Sequence, residues 1–539
     1  MGHKDNATGV PTYWGTSGKK LQFLITAVAT IDFLLFGYDQ GVMSGIIAGD
    51  AFVRAFPVVD GDDTWQGFVT SIYAVGCFFG ALLILTVGDK LGRRKSIFIG
   101  GFVMIIGVII QISTKPYPGH SGATAQFIIG RFITGMGNGI NTSTIPIWQA
   151  ECSQSHNRGK LICIEGGNVA IGTLIAYWID YGASYGPDAL TWRFPIAFQI
   201  FFAALVLGLM INLPESPRWL LSHDRVDEAT TILAALNNES RTDPNLKTEL
   251  AHLREAIRAS GQLDNKTKFS DLLTGGPTQH LRRMLLGASS QMMQQLSGCN
   301  AVIYYFPILF QASIGTSKNL ALLLGGVNQV VYALFATTSW YFVERVGRRK
   351  LYLIGTVGQC LSMVLVFGAL LPGTASAAKG AGVGLFTYIA FFGATWLPLP
   401  WLYPAEINPL KTRAKATAVS TVSNWIWNFF VVMITPVLVN NTGTNGWGTY
   451  LFFAALNAIF FPIIYFLYPE TAGRSLEEID VIFAKGYAEE ISYVKSAAEL
   501  PFLEPSEVHE KARAYGVAYQ DEEATAGVFE KPTSPSDSD

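Results

Sequence analysis

Charge is what this 539-residue chain has least of: Asp, Glu, Lys and Arg together make 14% of it, while hydrophobic residues make 50%. That balance is too apolar for a soluble enzyme of this length. Cysteine is scarce too. The five thiols, Cys77, Cys152, Cys163, Cys299 and Cys360, are scattered without C-x-x-C spacing, so they read as small buried hydrophobes and imply neither a disulfide framework nor a metal site. No G-x-x-x-x-G-K-[ST] loop occurs, which argues against an ATP-driven pump. No small-residue cleavage site ends the first apolar run, so it reads as a retained helix rather than a cleaved signal. No catalytic residue, metal or cofactor is implied, the chain is not expected to be an enzyme, and nucleic acid is not an expected partner.

Long apolar runs are what the chain has in abundance. A helix needs about 20 apolar residues to cross a bilayer, and twelve such runs begin near Leu21, Gln66, Ser96, Ala123, Gly159, Trp192, Arg282, Asn319, Lys350, Gly380, Thr412 and Gly446. The expected class is an all-α membrane protein with the lipid bilayer as its surroundings. Basic residues gather in alternate connections: Lys19 and Lys20, Lys90 to Lys95, Arg158 and Lys160, Arg345 to Lys350, and Lys411 to Lys415. By the positive-inside rule both termini are cytoplasmic. The sequons at Asn6, Asn238 and Asn265 then fall on the cytoplasmic side and Asn141 falls in a span, which leaves Asn440 as the one open case.

This layout divides the chain into a cytoplasmic N-terminus (1–20), a first six-helix bundle (21–213), a polar helical segment (214–281), a second six-helix bundle (282–468) and a tail (469–539). The tail opens with an amphipathic helix in "SLEEIDVIFAKGY" and then reads as disordered, ending in the acidic, Ser/Pro-rich "DEEATAGVFEKPTSPSDSD". The two bundles repeat one another. "GDKLGRRK" after the second span answers "ERVGRRK" after the eighth, "AECSQSHNRGK" answers "AEINPLKTRAK", and "PESPRWLL" answers "PETAGRSL". Paired motifs at matching positions indicate two halves related by an axis along the membrane normal, with a site between them near the midplane. The motifs place Asp89, Arg93, Glu151, Arg158, Glu215 and Arg218 in the first half against Glu344, Arg348, Glu406, Arg413, Glu470 and Arg474 in the second. Acid and base together at helix ends could form charge-assisted clamps that hold the halves together and release them; the alternative is that the basic residues are topology anchors only.

Inside the spans a few polar residues stand out. A carboxylate in the bilayer costs roughly 3 kcal/mol to insert, so it persists only when paired or facing water. Asp39 in "LLFGYDQGVMSG" is the first such residue, and Arg131 in "FIIGRFITGMGNG" is its expected partner. Protonating Asp39 would free the arginine and shift the balance of conformations; a static pair that fixes packing is the other reading. Gly130, Gly135, Gly137 and Gly139 read as close-packing surfaces, because the nucleotide-loop spacing fails. "QQLSGCNAVIYYFP" supplies Gln294, Gln295, Asn300, Tyr304 and Tyr305, the eighth span supplies Asn328, and "SNWIWNFF" supplies Asn424, Trp425 and Asn428. Neutral amides suit hydroxyl groups and indole faces suit C–H faces, which points to a polyhydroxylated substrate; each amide taken singly could equally join helices. Pro398, Pro400 and Pro404 break the tenth span beside Trp401.

With these motifs in hand, the chain closely resembles the sugar porter family of the major facilitator superfamily. The matches are "GRRK" twice, "PESPRWL", "QQLSGCNAVIYYFP", "SNWIWNFF" and "PETAGRSLEEID", over nearly everything from Lys19 to about Lys485. The resemblance implies the major facilitator fold, with Gln294, Gln295, Asn300, Asn328, Trp401 and Asn424 contacting sugar and Phe36 lining the site. "FGYD" is similar to the proton-coupled members, in which an aspartate at the place of Asp39 works with an arginine at that of Arg131. One departure stands out: the family's sugar-binding glutamine in the fifth span is replaced by Gly166, with Glu165 and Asn168 beside it. The stretches "NTSTIPIWQ" and "AYWIDYGASY" resemble the fungal branch that includes the yeast glycerol/proton symporter.

The expectation is therefore a monomeric plasma-membrane symporter that moves a neutral monosaccharide with a proton. A glycerol or polyol symporter is the first alternative, and a non-transporting sugar sensor the second. Asn168 or Glu165 could stand in for the missing glutamine. Glu165 could also be a second proton site or a neutral packing group, and Asp32 is open in the same way.

Overall fold

A computed structural model describes residues 4–5, 9–115, 121–153, 158–259, 269–409, 411–503 and 505–516. The sequons at Asn6 and Asn265, the side chains of Arg158 and Cys163, and the acidic end of the tail lie outside the described residues.

Hydrophobic length dictates the architecture. The first six spans are Gly18–Ile47, Asp63–Leu91, Arg93–Ile112, Ser121–Cys152, Arg158–Ala183 and Asp188–Met210. The seventh is two helices, His280–Leu296 and Cys299–Ile314, and the eighth and ninth are Lys318–Val346 and Arg348–Leu370. The tenth runs as Ala375–Phe391, a wide turn at Phe392–Trp396 and Leu399–Ile407, followed by Arg413–Asn441 and Trp447–Leu467. Among the described residues, nine helices are long and apolar enough to cross a membrane on their own account. The fourth, fifth and seventh spans fall outside that set. Polar residues such as Asn138, Asn141, Thr142 and Thr144 interrupt the fourth, and the seventh is cut in two at Gly298.

Glycine faces hold the first half together. A Cβ at Gly76 or Gly80 would overlap the Phe132 or Met136 carbonyl, and one at Gly135 or Gly139 would overlap the Tyr73 or Cys77 carbonyl. The second and fourth spans thus meet backbone to backbone, as small-residue membrane contacts do. Across the two halves, the second span packs on the eleventh, the fifth on the eighth and the first on the outer part of the seventh.

Outside the spans, three helices follow the sixth span: Pro217–Ser222, Val226–Asn237 and Pro244–Ala259. Near the N-terminus, Lys4–Asp5 pairs antiparallel with Pro11–Thr12. The tail helix Leu476–Ala488 starts with a reciprocal capping box between Ser475 and Glu478. The reading of disorder after it needs correction, because Tyr493–Glu499 and Pro505–Ala514 are also helices. They bury Ala497, Leu500, Val508 and Ala512 against Val481, Ile482 and Ala484. Asp480 of the tail pairs at 2.6 Å with the buried Arg283 at the start of the seventh span, whose guanidinium lies 4.7 Å from the Phe483 ring centre.

Candidate functional site

The repeated Gly-Arg-Arg turns have one physical design. Gly92 and Gly347 adopt φ of +84° and +93°, a region that disfavours side chains. Each leaves room for a carboxylate, since an added Cβ would press on Glu215 or Glu470. Those carboxylates cap the next helix: Glu215 accepts the N–H groups of Arg93 and Arg94 at 3.0 and 3.1 Å, and Glu470 accepts those of Arg348 and Arg349 at 2.7 and 3.1 Å. Burial pushes the Glu215 carboxyl up, while the N–H groups of Ser216, Arg94 and Arg93 hold it down. The arginine side chains turn the other way. Arg93 reaches Glu151 at 3.1 Å and Asp89 at 3.0 Å; Arg348 reaches Glu406 at 2.8 Å and Glu344 at 3.3 Å.

In this structure both partners of each ion pair belong to the same half, so the pairs do not bridge the two halves. Each set ties the loop after a half's second span to the end of its fourth span and, through Glu215 or Glu470, to the segment after its sixth. Arg413 donates to the Asn408 carbonyl at 3.2 Å, and Arg474 pairs with Glu478 at 3.5 Å within the tail. Arg218 has no ion pair among the described residues, and the Arg158 side chain lies outside them.

Proline sets the geometry at the centre. Pro400 lacks the N–H that would bond the Trp396 carbonyl, and Pro404 lacks the one for Pro400. Side-chain amides of the seventh span take those places. Gln294 Nε2 donates to the Trp396 and Leu397 carbonyls at 2.8 and 3.1 Å, and Gln291 Nε2 donates to the Pro400 carbonyl at 2.7 Å. Asn424 of the eleventh span donates to both Gln291 and Gln294, and Asn300 donates to Gln295. The other break is closed similarly: Asn457 of the twelfth span and Tyr388 of the tenth both donate to the Ser297 carbonyl at 3.0 Å.

Other polar atoms in this region are buried without a protein partner: both amide atoms of Asn328 and Asn428, Nδ2 of Asn168, and the indole N–H groups of Trp396 and Trp425. Of these, the Trp396 ring packs edge-on against Tyr352 of the ninth span at 4.8 Å. Phe36 packs edge-on against Trp425 at 5.5 Å and Trp401 at 6.5 Å, so aromatic rings from both halves meet. Tyr304 is buried on the outer half of the seventh span. A Cβ at Gly166 would meet Pro398 at 3.7 Å, so the fifth span comes close to the tenth-span break where a larger residue would intervene.

The charged residues lie in the first half, and Asp39 and Arg131 do not pair directly, contrary to expectation. Tyr73 of the second span stands between them: its hydroxyl donates to Asp39 at 3.0 Å, and the Arg131 guanidinium lies over its ring at 4.9 Å. Arg131 itself donates to the Thr70 carbonyl at 3.4 Å and keeps Nε and Nη1 without a protein partner. Two turns from Asp39 on the same helix, Asp32 accepts from Asn141 at 3.2 Å, and Glu165 is buried in the fifth span. Asp180, at the far end of the fifth span, accepts the Gly45 N–H at 3.1 Å.

Gln291, Asn457 and Tyr73 are participants that sequence reasoning passed over. Gln291 was within reach, since it lies one helical turn before Gln294 and the prolines demand donors. Tyr73 carries no local signal in "SIYAVGC".

Two six-helix halves with neutral amides between them, and a buried carboxylate and arginine in one half, define a multi-pass membrane transporter of the major facilitator fold. The family model for the sugar (and other) transporters matches residues 25–483. Among relatives, the "Sugar transporter STL1" of Saccharomyces cerevisiae is 46% identical over 95% of this chain and 90% of its own length. A major facilitator superfamily transporter, mfsA of Aspergillus fumigatus, is 44% identical over 94% of each chain. The structure of the proton:xylose symporter XylE bound to 6-bromo-6-deoxy-D-glucose superposes with a TM-score of 0.73 at 26% identity, over 86% of this chain and 100% of that one. The chain belongs to the sugar (and other) transporter family.

Proposed function

We propose that this protein is a monomeric proton-coupled symporter that carries a neutral monosaccharide, a hexose or pentose such as glucose or xylose, across the plasma membrane by alternating access. The observation that carries the reading is a division of labour between the halves: the second supplies buried amides and indoles without a protein partner, and the first a buried Asp39 held by Tyr73 and an Arg131 that does not pair with it. Hydroxyl-rich ligands bond to amides without desolvating a charge, and a carboxylate not committed to an ion pair can exchange a proton. A sugar transporter among the relatives and a proton:xylose symporter among the solved structures support both parts.

Alternating access requires two rigid halves, and the arginine–glutamate sets stiffen each half internally. Polar contacts between the halves, among them Lys318 to Asp50 at 2.8 Å, Asn441 to Asp63 at 3.3 Å and the Tyr177 hydroxyl to the Ile303 carbonyl, lie toward the side opposite the basic loops. With those loops cytoplasmic by the positive-inside rule, this supports an inward-facing state and cytoplasmic termini. Substrate is held by Phe36, Asn168, Gln294, Gln295, Asn300, Tyr304, Asn328, Trp401 and Asn424. A second reading, glycerol or another linear polyol, is favoured by one feature: Gly166 replaces a side chain that would reach a sugar ring.

The test is uptake of labelled glucose, xylose and glycerol into proteoliposomes with and without an inward proton gradient. Accumulation of one sugar above equilibrium only with the gradient, lost in Asp39→Asn while exchange persists, is the expected result. Equilibration that ignores the gradient would remove the proton from the mechanism, and accumulation of glycerol alone would replace the substrate.

A further inference from the structure

We infer that Tyr73 is the positioning residue that links the protonation of Asp39 to the substrate site in the other half; this rests on the proton-coupled reading above. Three contacts of one buried side chain carry the inference. Its hydroxyl donates to Asp39 Oδ2, its ring face carries the Arg131 guanidinium, and its ring meets Trp425 of the eleventh span at 6.4 Å and 83°. Trp425 follows Asn424, the amide bonded to Gln291 and Gln294. Phe36 closes the chain of rings against Trp425 from the first span. The path from the carboxylate to the amide cluster is therefore contiguous, and Tyr73 enters it through its edge-to-face contact with Trp425, beside the Phe36 contacts with Trp425 and Trp401.

The hydroxyl and the ring do separate things. A phenol that donates to a carboxylate stabilises its anionic form, whereas the ring holds the guanidinium close without neutralising Asp39. Protonated Asp39 accepts that bond less strongly, so a proton gained there loosens the tyrosine, whose ring bears on Trp425. The other titratable groups near the hydroxyl are Cys77 one turn along the same span, Arg131 of the fourth and Tyr304 of the seventh; the fifth and eleventh spans bring Val169 and Trp425, which do not titrate.

Tyr73→Phe keeps both ring contacts and deletes the hydroxyl, so it separates the two roles. In proteoliposomes with labelled glucose, xylose and glycerol, gradient-driven accumulation of the transported compound is expected to fall about tenfold. The pH midpoint of uptake should move by about one unit toward alkaline pH, the size expected for one lost hydrogen bond to a charged group. Gradient-independent exchange stays within about twofold of native, which reports that the variant is folded. In an Asp39→Asn background the same change should have no further effect on exchange or on the pH profile, because the two residues act as a unit. If native protein responds to the gradient and Tyr73→Phe matches it in accumulation and midpoint, the role assigned to Tyr73 is wrong. If native protein itself ignores the gradient, the proton-coupled reading fails and this inference fails with it.

Discussion

The two halves share a fold, and their polar interiors differ in kind. Both halves bury amides within the membrane, Gln111, Asn138, Asn141 and Gln199 among them in the first and Gln291, Gln294, Asn300, Asn328, Asn424 and Asn457 in the second, but the first adds Asp32, Asp39, Arg131, Glu165 and Asp180. Their backbones differ correspondingly. The charged half is built of unbroken helices, and the neutral half carries the breaks at Gly298 and at Phe392–Trp396, although close glycine contacts occur in both, at Gly76 and Gly135 in the first and at Gly355 and Gly358 in the second. Charge within the membrane persists where it faces the bundle interior or an aqueous path and finds polar partners there. Neutral amides tolerate a backbone that opens, because they can bond either a freed carbonyl or a hydroxyl.

The sharpest way to break this comparison is Gly135→Leu, which forces a side chain into the Tyr73 carbonyl. Overpacking there should cost about 3 kcal/mol or more, read as lost thermal stability in detergent. Gly368→Leu in the second half, where an added Cβ meets nothing within 4 Å, should leave stability near native. Equal losses at both sites would show that the backbone contact at Gly135 does not set the cost of filling it.

Gln294→Leu comes next. It strands the Trp396 and Leu397 carbonyls and removes one acceptor of Asn424, at a cost of about 2 kcal/mol. The half-saturation concentration for substrate should rise roughly tenfold or more. An unchanged value with normal stability would reassign the amide cluster away from the ligand.

The smallest expected difference compares the two latches. Arg348 is 6% exposed in its side chain and Arg93 16%, so Arg348→Gln should destabilise by about 2 kcal/mol and Arg93→Gln by about 1 kcal/mol. The reverse order in thermal unfolding would mean that burial does not set the strength of these pairs.

Much of the frame was legible from the chain itself. Hydrophobic length located the spans, and the repeated loops announced two halves, because both signals are local. The glycines of the fourth span were readable as packing faces for the same reason. What escaped depended on which helix faces which. The loop motifs showed acids and bases at matching places but not their partners in this state: Arg93 meets Glu151 and Arg348 meets Glu406 inside their own halves. Spacing along the chain cannot tell these apart. Tyr73 was silent because a tyrosine in an apolar helix gains meaning only from Asp39 and Arg131 on two other spans. The last two tail helices, Tyr493–Glu499 and Pro505–Ala514, were missed because they are short and gain stability by packing on Leu476–Ala488, which no local pattern announces.

Glu215 lies just beyond the sixth span and Glu470 just beyond the twelfth, and each secures a turn made well over a hundred residues earlier in its own half. The order of synthesis gives this a further meaning. When the ribosome has released Glu215, everything needed to close the first half is already in the membrane, and none of the second half has been inserted. Domains that complete their own contacts can fold as units during synthesis, so the charged half can be sealed before the amide-bearing half arrives to complete the passage between them.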